Sequence, residues 1–301
     1  MRRAILALAP VVIVLSLILG VFSAAPTRLK AQGSLTLLGV GGSGAPSSCS
    51  QATTFLARTS GLSGTLSTAY TNLICSGVTH GWYTSCPAYY ILATSTVTTA
   101  ELNLISTSFG LTPHGTLTFT ANTGWQGDGS TGYADSGYNP SSSGGGPSQS
   151  SLMIGYYDLS NRTSTVSFTT DMGADNGSIY IYLQGQNPSG QFSTDLNDGS
   201  FSAATNTFGT AKGLWLSDRT SSTNINLRRN GTPVTSFTAT SNPAPNFNIA
   251  LLGLNNSGTT TQFSPDQYSA FWICPSLGAT NDALLETDTN TFMTALGKNV
   301  Y

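Results

Sequence analysis

Cleaving a glycan takes two carboxylates held on either side of the scissile bond, about 5 Å apart in a retaining enzyme. A strand can supply them as alternating acids, yet no Glu-x-Asp-x-Glu run occurs here, and the only glutamates are Glu101 and Glu286. Asp128, Asp135, Asp171, Asp175, Asp195 and Asp198 all fall in stretches rich in Gly, Ser and Asn. There a turn aspartate bonding its own backbone is the expected role. His80 in GVTHGWY and His114 in LTPHGT read as loop or capping residues rather than bases. No Gly-x-Ser-x-Gly elbow stands on a strand-to-helix turn, which removes the usual serine nucleophile. The sequence identifies no reaction.

Two groups of residues could bind rather than react. Asp171, Asp175 and Asn176 in TTDMGADNGS, and Asp195, Asn197 and Asp198 in TDLNDGS, gather oxygen ligands with glycine, as calcium prefers. Neither matches an EF-hand, and calcium is the one cofactor with a basis in the sequence. Zinc has none, because there is no Cys-x-x-Cys and no paired histidine. Trp125, Tyr133 and Tyr138 lie in GWQGDGSTGYADSGY together with Asp128 and Asp135. Aromatic faces that stack on sugar rings, beside groups that bond hydroxyls, make this stretch the candidate glycan site. The competing reading is that these aromatics pack in a core. Trp215 and Trp272 sit within strand patterns and are expected to be buried, and Trp82 to pack on the loop between Cys75 and Cys86.

The elements that position these residues follow from composition and period. Only 8% of the 301 residues are charged and the net charge is −2, against a usual charged fraction of about 25%. With no basic face, nucleic acid is excluded as a partner. The opening MRRAILALAPVVIVLSLILGVFSAA has the layout of a secretory signal. Residues 1–31 are therefore assigned as a signal peptide or N-terminal anchor, with membrane contact only through residues 1–25 if that segment stays uncleaved. Residues 32–48 form a linker or edge strand, and residues 49–301 a single domain. The four cysteines in an exported chain favour disulfides with three connectivities open. Proximity makes Cys75 to Cys86 the expected bridge.

Helical spacing of Leu62, Leu66, Ala69, Tyr70, Leu73 and Ile74 predicts short helices near the start of the domain. From Ala88 onward the period shortens to about two. Strands are predicted at AYYILAT, TLTFTAN, SLMIGYYDL, STVSFTT, SIYIYLQG, GLWLSDR, NINLRR, VTSFTAT, FNIALLGL and YSAFWIC. Asn230-Gly231 between two of them predicts a tight hairpin. SSSGGGPSQSS reads as a loop within the domain. A terminal helix is expected after Thr280, Asn281 and Asp282, with Ala283, Leu284, Thr287, Phe292, Met293 and Leu296 on one face and Gly297 at its end. It should cover a sheet edge or an open end. Many evenly spaced strands indicate a mainly β sandwich.

CSQATTFLARTSGL with AYTNLI, then FTANTGWQGDGSTGYADSGYNP, then FNIALLGLNNSG and YSAFWICPSLGATNDALLETDTNTFMTAL resemble a group of bacterial and prophage-encoded proteins with a concanavalin A-like, laminin-G-like jelly roll. LRRNGTPV resembles the strand, Asn-Gly, strand unit of laminin-G-like domains. The resemblance implies a concanavalin A-like jelly-roll β-sandwich that acts as a surface-binding or virion-associated module, and it carries over no catalytic residue. Cys75, Cys86 and Cys274 depart from the group's pattern. So does the signal segment, which shifts weight toward a secreted or cell-surface protein. The expected function is that of an exported, non-enzymatic lectin-like module that binds a glycan or cell-surface polysaccharide or enters a self-assembled surface structure. The alternatives are a glycan-cleaving enzyme using aspartates on the concave sheet and a purely structural protein.

Overall fold

The computed structural model describes residues 48–162, 168–185, 189–199 and 203–301. The signal or anchor expected over 1–31 and nearly all of the 32–48 linker lie outside them, as does most of STVSFTT. In chain order the elements begin with α1 (Ser50–Leu56), α2 (Gly64–His80), α3 (Trp82–Ser85), β1 (Ala88–Ile91) and α4 (Val97–Ala100). Then follow β2 (Thr112–His114), β3 (Leu117–Thr120), β4 (Gly124–Gly127), β5 (Tyr133–Asp135), β6 (Leu152–Asp158) and β7 (Met172–Asp175). Next come β8 (Tyr180–Gln184), β9 (Gln191–Asp198), β10 (Ala203–Thr207), β11 (Gly213–Arg219), β12 (Asn224–Arg229) and β13 (Thr232–Thr238). The chain closes with β14 (Ala250–Leu251), β15 (Leu254–Asn256), β16 (Thr259–Thr261), β17 (Gln267–Cys274) and α5 (Ala279–Ala295).

These strands form a mainly β jelly-roll sandwich. Sheet A runs β13-β12-β11-β6-β17-β4-β3, with β1 also on β17. Sheet B runs β10-β9-β8-β7-β14-β5-β2, with β15 beside β7 and β16 beside β15. Ile154, Tyr156, Trp215, Phe271 and Ile273 of sheet A meet Met172, Ile181, Leu183, Phe192 and Leu196 of sheet B in the core. The expected hairpin joins β12 to β13, and Asn230 and Gly231 take φ of 49° and 75°. Two successive positive values are what a tight hairpin turn demands.

A third layer covers the outer face of sheet A. Tyr89, Met153, Tyr157, Leu214, Leu216 and Trp272 pack there against Phe55, Tyr70, Leu73, Trp82, Leu285, Phe292 and Met293 of the helices. Because β6, β11 and β17 are covered on both faces, they are buried at nearly every position. That is why LMIGYYD and YSAFWIC lack polar alternation. Helix α5 thus lies over a sheet face, not the edge or open end expected from sequence. Its buried residues include Asp282, Leu285, Glu286, Thr289, Phe292 and Met293, whereas Thr287 is exposed and Ala283 and Leu284 are half-buried. Sequence reasoning chose the apolar side, but the sheet offers α5 bonding groups as well as apolar ones. The expected polar caps are absent too, since the N-cap is Gly278 and makes no side-chain bond. Gly297 does end the helix, at φ 70° with Lys298 N donating to Met293 O at 2.8 Å, the usual left-handed closure.

The cysteine expectation is corrected. Cys75 pairs with Cys49 and Cys86 with Cys274, at Cα separations of 5.6 and 4.2 Å. Helix α2 continues past Cys75 to His80, so Cys75 stays beside α1. The antiparallel register of Ala88 with Ile273 carries Cys86 to Cys274. Sheet pairing, not nearness in sequence, decides the bridge.

Candidate functional site

The predicted glycan residues are placed, but not together. Trp125 on β4 is 1% exposed and Tyr138 is 0% exposed, both in the sandwich core. Their faces are therefore closed to a sugar, and for these two residues the core reading replaces the binding one. The cause is the alternation of β4, which sends Trp125 inward and Gln126 outward. Asp128 is exposed, and its carboxylate accepts from the amides of Ser130, Thr131 and Gly132 at 2.8 to 2.9 Å and from the Thr131 hydroxyl at 2.6 Å. Those donors hold it well below the usual carboxylate range. Asp135 accepts from Gly137 N at 2.8 Å and from Asn248. Tyr133 stacks on His114 at 4.6 Å. The loop satisfies itself.

The calcium residues do not converge either. Asp171 is fully buried and accepts from the Tyr268 hydroxyl, the Gly185 amide and Ser264 Oγ. Asp175 accepts from Gly177 N, and Asn176 from Ser178 N and Ile179 N. Asp171 directly precedes β7 and Asp175 ends it, four residues apart, or about 13 Å along an extended strand. Among the described residues no cluster of three or more His, Cys, Asp or Glu could hold a metal ion.

The aspartates expected in turns divide differently in space. Asp195 and Asp198 belong to β9 and are buried, as are Asp158 on β6 and Asp218 on β11. Asp158, Asp171 and Asp266 gather near Arg162, whose Nε donates to Asp266 at 2.8 and 2.9 Å. Burial raises Asp171 to about 6 despite Arg162. These three carboxylates are at most 3% exposed, so the cluster ties the two sheets together and offers no approach to a substrate.

An accessible groove lies on the outer face of sheet B, with a volume near 410 Å³. Phe168, Tyr180, Tyr182, Gln184, Leu254 and Gln262 line it. Strand β8 builds it by alternation: Ile181 and Leu183 enter the core while Tyr180, Tyr182 and Gln184 face out. Gly173 on β7 lies opposite Tyr182. A Cβ there would come within 2.8 Å of Tyr182 Cβ and 2.9 Å of Leu254 Cδ1. Only a glycine lets these two side chains meet over it. Phe168 is 53% exposed, a large apolar surface left open at the groove. Gln262 accepts from Thr170 Oγ1 at 2.7 Å through Oε1, which leaves its amide nitrogen as the end available to donate.

Strand β9 sets polar groups beside these rings. Asp195 stands opposite Tyr182 and Ser193 opposite Gln184. Gln184 Oε1, Ser193 Oγ and both Asp195 carboxylate oxygens are buried with no hydrogen-bond partner among the described residues. A buried polar group left unpaired costs about 1–3 kcal/mol, so such a concentration marks a place where water or a ligand completes the bonding. Burial and the charge of Asp198 push the Asp195 carboxyl up to about 9, against the opposing pull of Arg219 and of the Leu196 amide, whose approach falls short of a well-formed hydrogen bond. Asp195 is then uncharged at neutral pH and can donate as well as accept. Sequence reasoning missed this site, although SIYIYLQG carries its signal: an alternating strand whose outward positions are aromatic or amide rather than charged.

No protein-family model and no curated protein matches the chain. Solved structures do share its fold. A mutant of Trypanosoma rangeli sialidase displaying trans-sialidase activity aligns at TM-score 0.51 and 8% identity, covering 74% of this chain and 39% of that one. Domain 4 of AbnA, a GH43 extracellular arabinanase from Geobacillus stearothermophilus, in complex with arabinotriose, aligns at TM-score 0.43 and 16% identity, covering 67% and 98%. The CBM40 of Ruminococcus gnavus IT-sialidase, bound to alpha2,3 sialyllactose, aligns at 0.38 and 13% over 50% and 90%. The chain spans about two fifths of the trypanosomal protein. The likeness is one of fold, a β-sandwich.

Proposed function

We propose that the chain is an exported, lectin-like module that binds a glycan in the groove of sheet B. The observation that carries this is the meeting of Tyr180, Tyr182 and the exposed Phe168 with the side-chain amides of Gln184 and Gln262 in one groove, with the Gln184 Oε1 unpartnered. Aromatic rings bury the apolar faces of sugars, and a few convergent polar groups orient the hydroxyls. The two disulfides support an oxidising, extracellular setting. In this reading residues 1–31 are the export signal or anchor, residues 32–48 the linker, and bacterial or prophage origin follows the sequence resemblance. The test is a glycan array followed by calorimetry on the best hit, for the parent and Tyr180→Ala. Binding lost in the variant supports the groove, and a blank array with folded protein removes it.

A second reading rests on Asp195 and Asp175, which lie on the strands flanking β8. Asp195 holds its proton at neutral pH, as a general acid must, which would make the groove glycan-cleaving. Chromatography of a bound glycan after long incubation decides it: shortened products support cleavage, and an intact glycan removes it.

A further inference from the structure

We infer that the groove selects uncharged glycans and turns away anionic ones such as uronates and sialylated sugars. This rests on the glycan-binding reading and adds the ligand's chemical class. Among the described residues lining the groove there is no lysine, arginine or histidine. The ionisable acids on the strands that build it are Asp175 on β7, with Asp195 and Asp198 on β9. Strand β8 contributes none.

Arg162, close to Gly185, is held by Asp266, and Arg219 is turned the other way. It is fully buried on β11 of the opposite sheet and donates to the backbone oxygens of Leu196, Ala239 and Ser221. Its Nη2 stands 3.9 Å from Asp198, so its charge is answered from within the sandwich. The stretches next to groove residues in sequence, 163–167, 186–188 and 200–202, read TSTVS, QNP and SFS and hold no cation.

A carboxylate-bearing sugar entering this groove would give up hydration without meeting a cation, and the ionisable side chains on the strands beside it are carboxyls that offer it no attraction. Hydroxyls escape that cost, because each can both donate and accept. Of the lining side chains, Gln184 Oε1 requires a donor and the Gln262 amide donates. The polar complement of the groove is that of a neutral sugar.

The test titrates the folded protein by calorimetry with cellohexaose, mannohexaose, maltohexaose and xylohexaose as neutral probes. Hexagalacturonate and 3′-sialyllactose are the anionic ones. The expected result is that the best neutral probe binds at least tenfold more tightly than either anion, and that Tyr180→Ala and Gln262→Ala each weaken it several-fold. Phe168→Lys, at an exposed position, should gain binding to hexagalacturonate. An anionic probe that binds as tightly as the best neutral one, and is weakened by Tyr180→Ala, overturns the selectivity while the groove survives as a glycan site. Binding insensitive to both alanine variants, or no binding to any probe, overturns the groove reading and the inference with it.

Discussion

Tyr182 on β8 and Asp195 on β9 are direct cross-strand partners, so an aromatic ring and an uncharged acid share one place on the outer face of sheet B. Directly opposed side chains lie about 5 Å apart at Cβ. The pair sets a buried, uncharged acid beside a ring that lines the groove.

Ring stacking at Tyr180 should be separable from packing at Trp125. Tyr180 is only half-buried, so Tyr180→Ala should lower glycan affinity by several-fold to tenfold, matching about 0.5–1.5 kcal/mol of aromatic contact, with little change in melting temperature. Trp125→Ala empties a core site and should cost about 3–5 kcal/mol of stability. Calorimetry and urea denaturation on both variants check this. Equal loss of affinity at equal stability would return Trp125 to the binding site.

The ion pair beneath α5 yields a second expectation. Arg228 Nε donates to Glu286 Oε2 at 2.7 Å, and Gly231 N donates to Glu286 Oε1 at 3.0 Å. Glu286 is fully buried. Glu286→Ala strands the Arg228 charge and should destabilise by about 3–5 kcal/mol, whereas Arg228→Met with Glu286→Leu should recover most of that loss. Guanidinium denaturation of the three proteins reads the outcome, and a double variant no better than the single would show that the pair itself is stabilising.

These contacts mark how far the sequence was legible. The long strands β6, β11 and β17 and the Asn230-Gly231 hairpin were readable because buried runs and positive φ angles leave local signatures. The third layer was not, since a strand covered by helices on one side and a sheet on the other looks like any buried strand. GWQG, YAD and MGAD become β4, β5 and β7 only because sheet partners override their turn-like composition. Glu286 and Asp282 turn inward on α5 because Arg228 and Asp218 wait beneath, a fact that helical period alone cannot convey. In the groove, QFSTDLND hid a strand behind turn residues, and with it Asp195.

Disulfide exchange gives a third expectation. The Cys86–Cys274 bridge spans 188 residues and Cys49–Cys75 spans 26. On the chain-entropy account these closures contribute about 5 and about 3.5 kcal/mol. Cys86→Ala with Cys274→Ala should therefore lower the urea midpoint more than Cys49→Ala with Cys75→Ala. Peptide mapping under non-reducing conditions should recover Cys86 linked to Cys274, and a Cys75–Cys86 peptide would overturn the connectivity.

The start of α5 should respond to pH in a definite direction. Asp282 is 3% exposed in the first turn of α5, and Asp218 is fully buried on β11, where Ser276 donates to it at 2.9 Å. Burial comes first and the neighbouring Asp218 charge second in raising Asp282 to about 8, against the pull of Arg228. Burial raises Asp218 as well. A carboxyl whose folded pKa exceeds its unfolded value near 3.9 binds its proton more tightly in the native state. Its contribution to stability is complete below about pH 4 and is lost as pH climbs through about 8. Asp282→Asn keeps the shape, cannot ionise and should lose none of that contribution. Melting temperatures of parent and variant from pH 5 to 9 should therefore diverge in favour of the variant as pH rises. Buried Asp158, Asp171 and Asp195 slope the same way but are common to both proteins, so the difference isolates this site. Parallel profiles would mean that Asp282 is ionised in the native protein throughout, with Arg228 outweighing burial at the foot of α5.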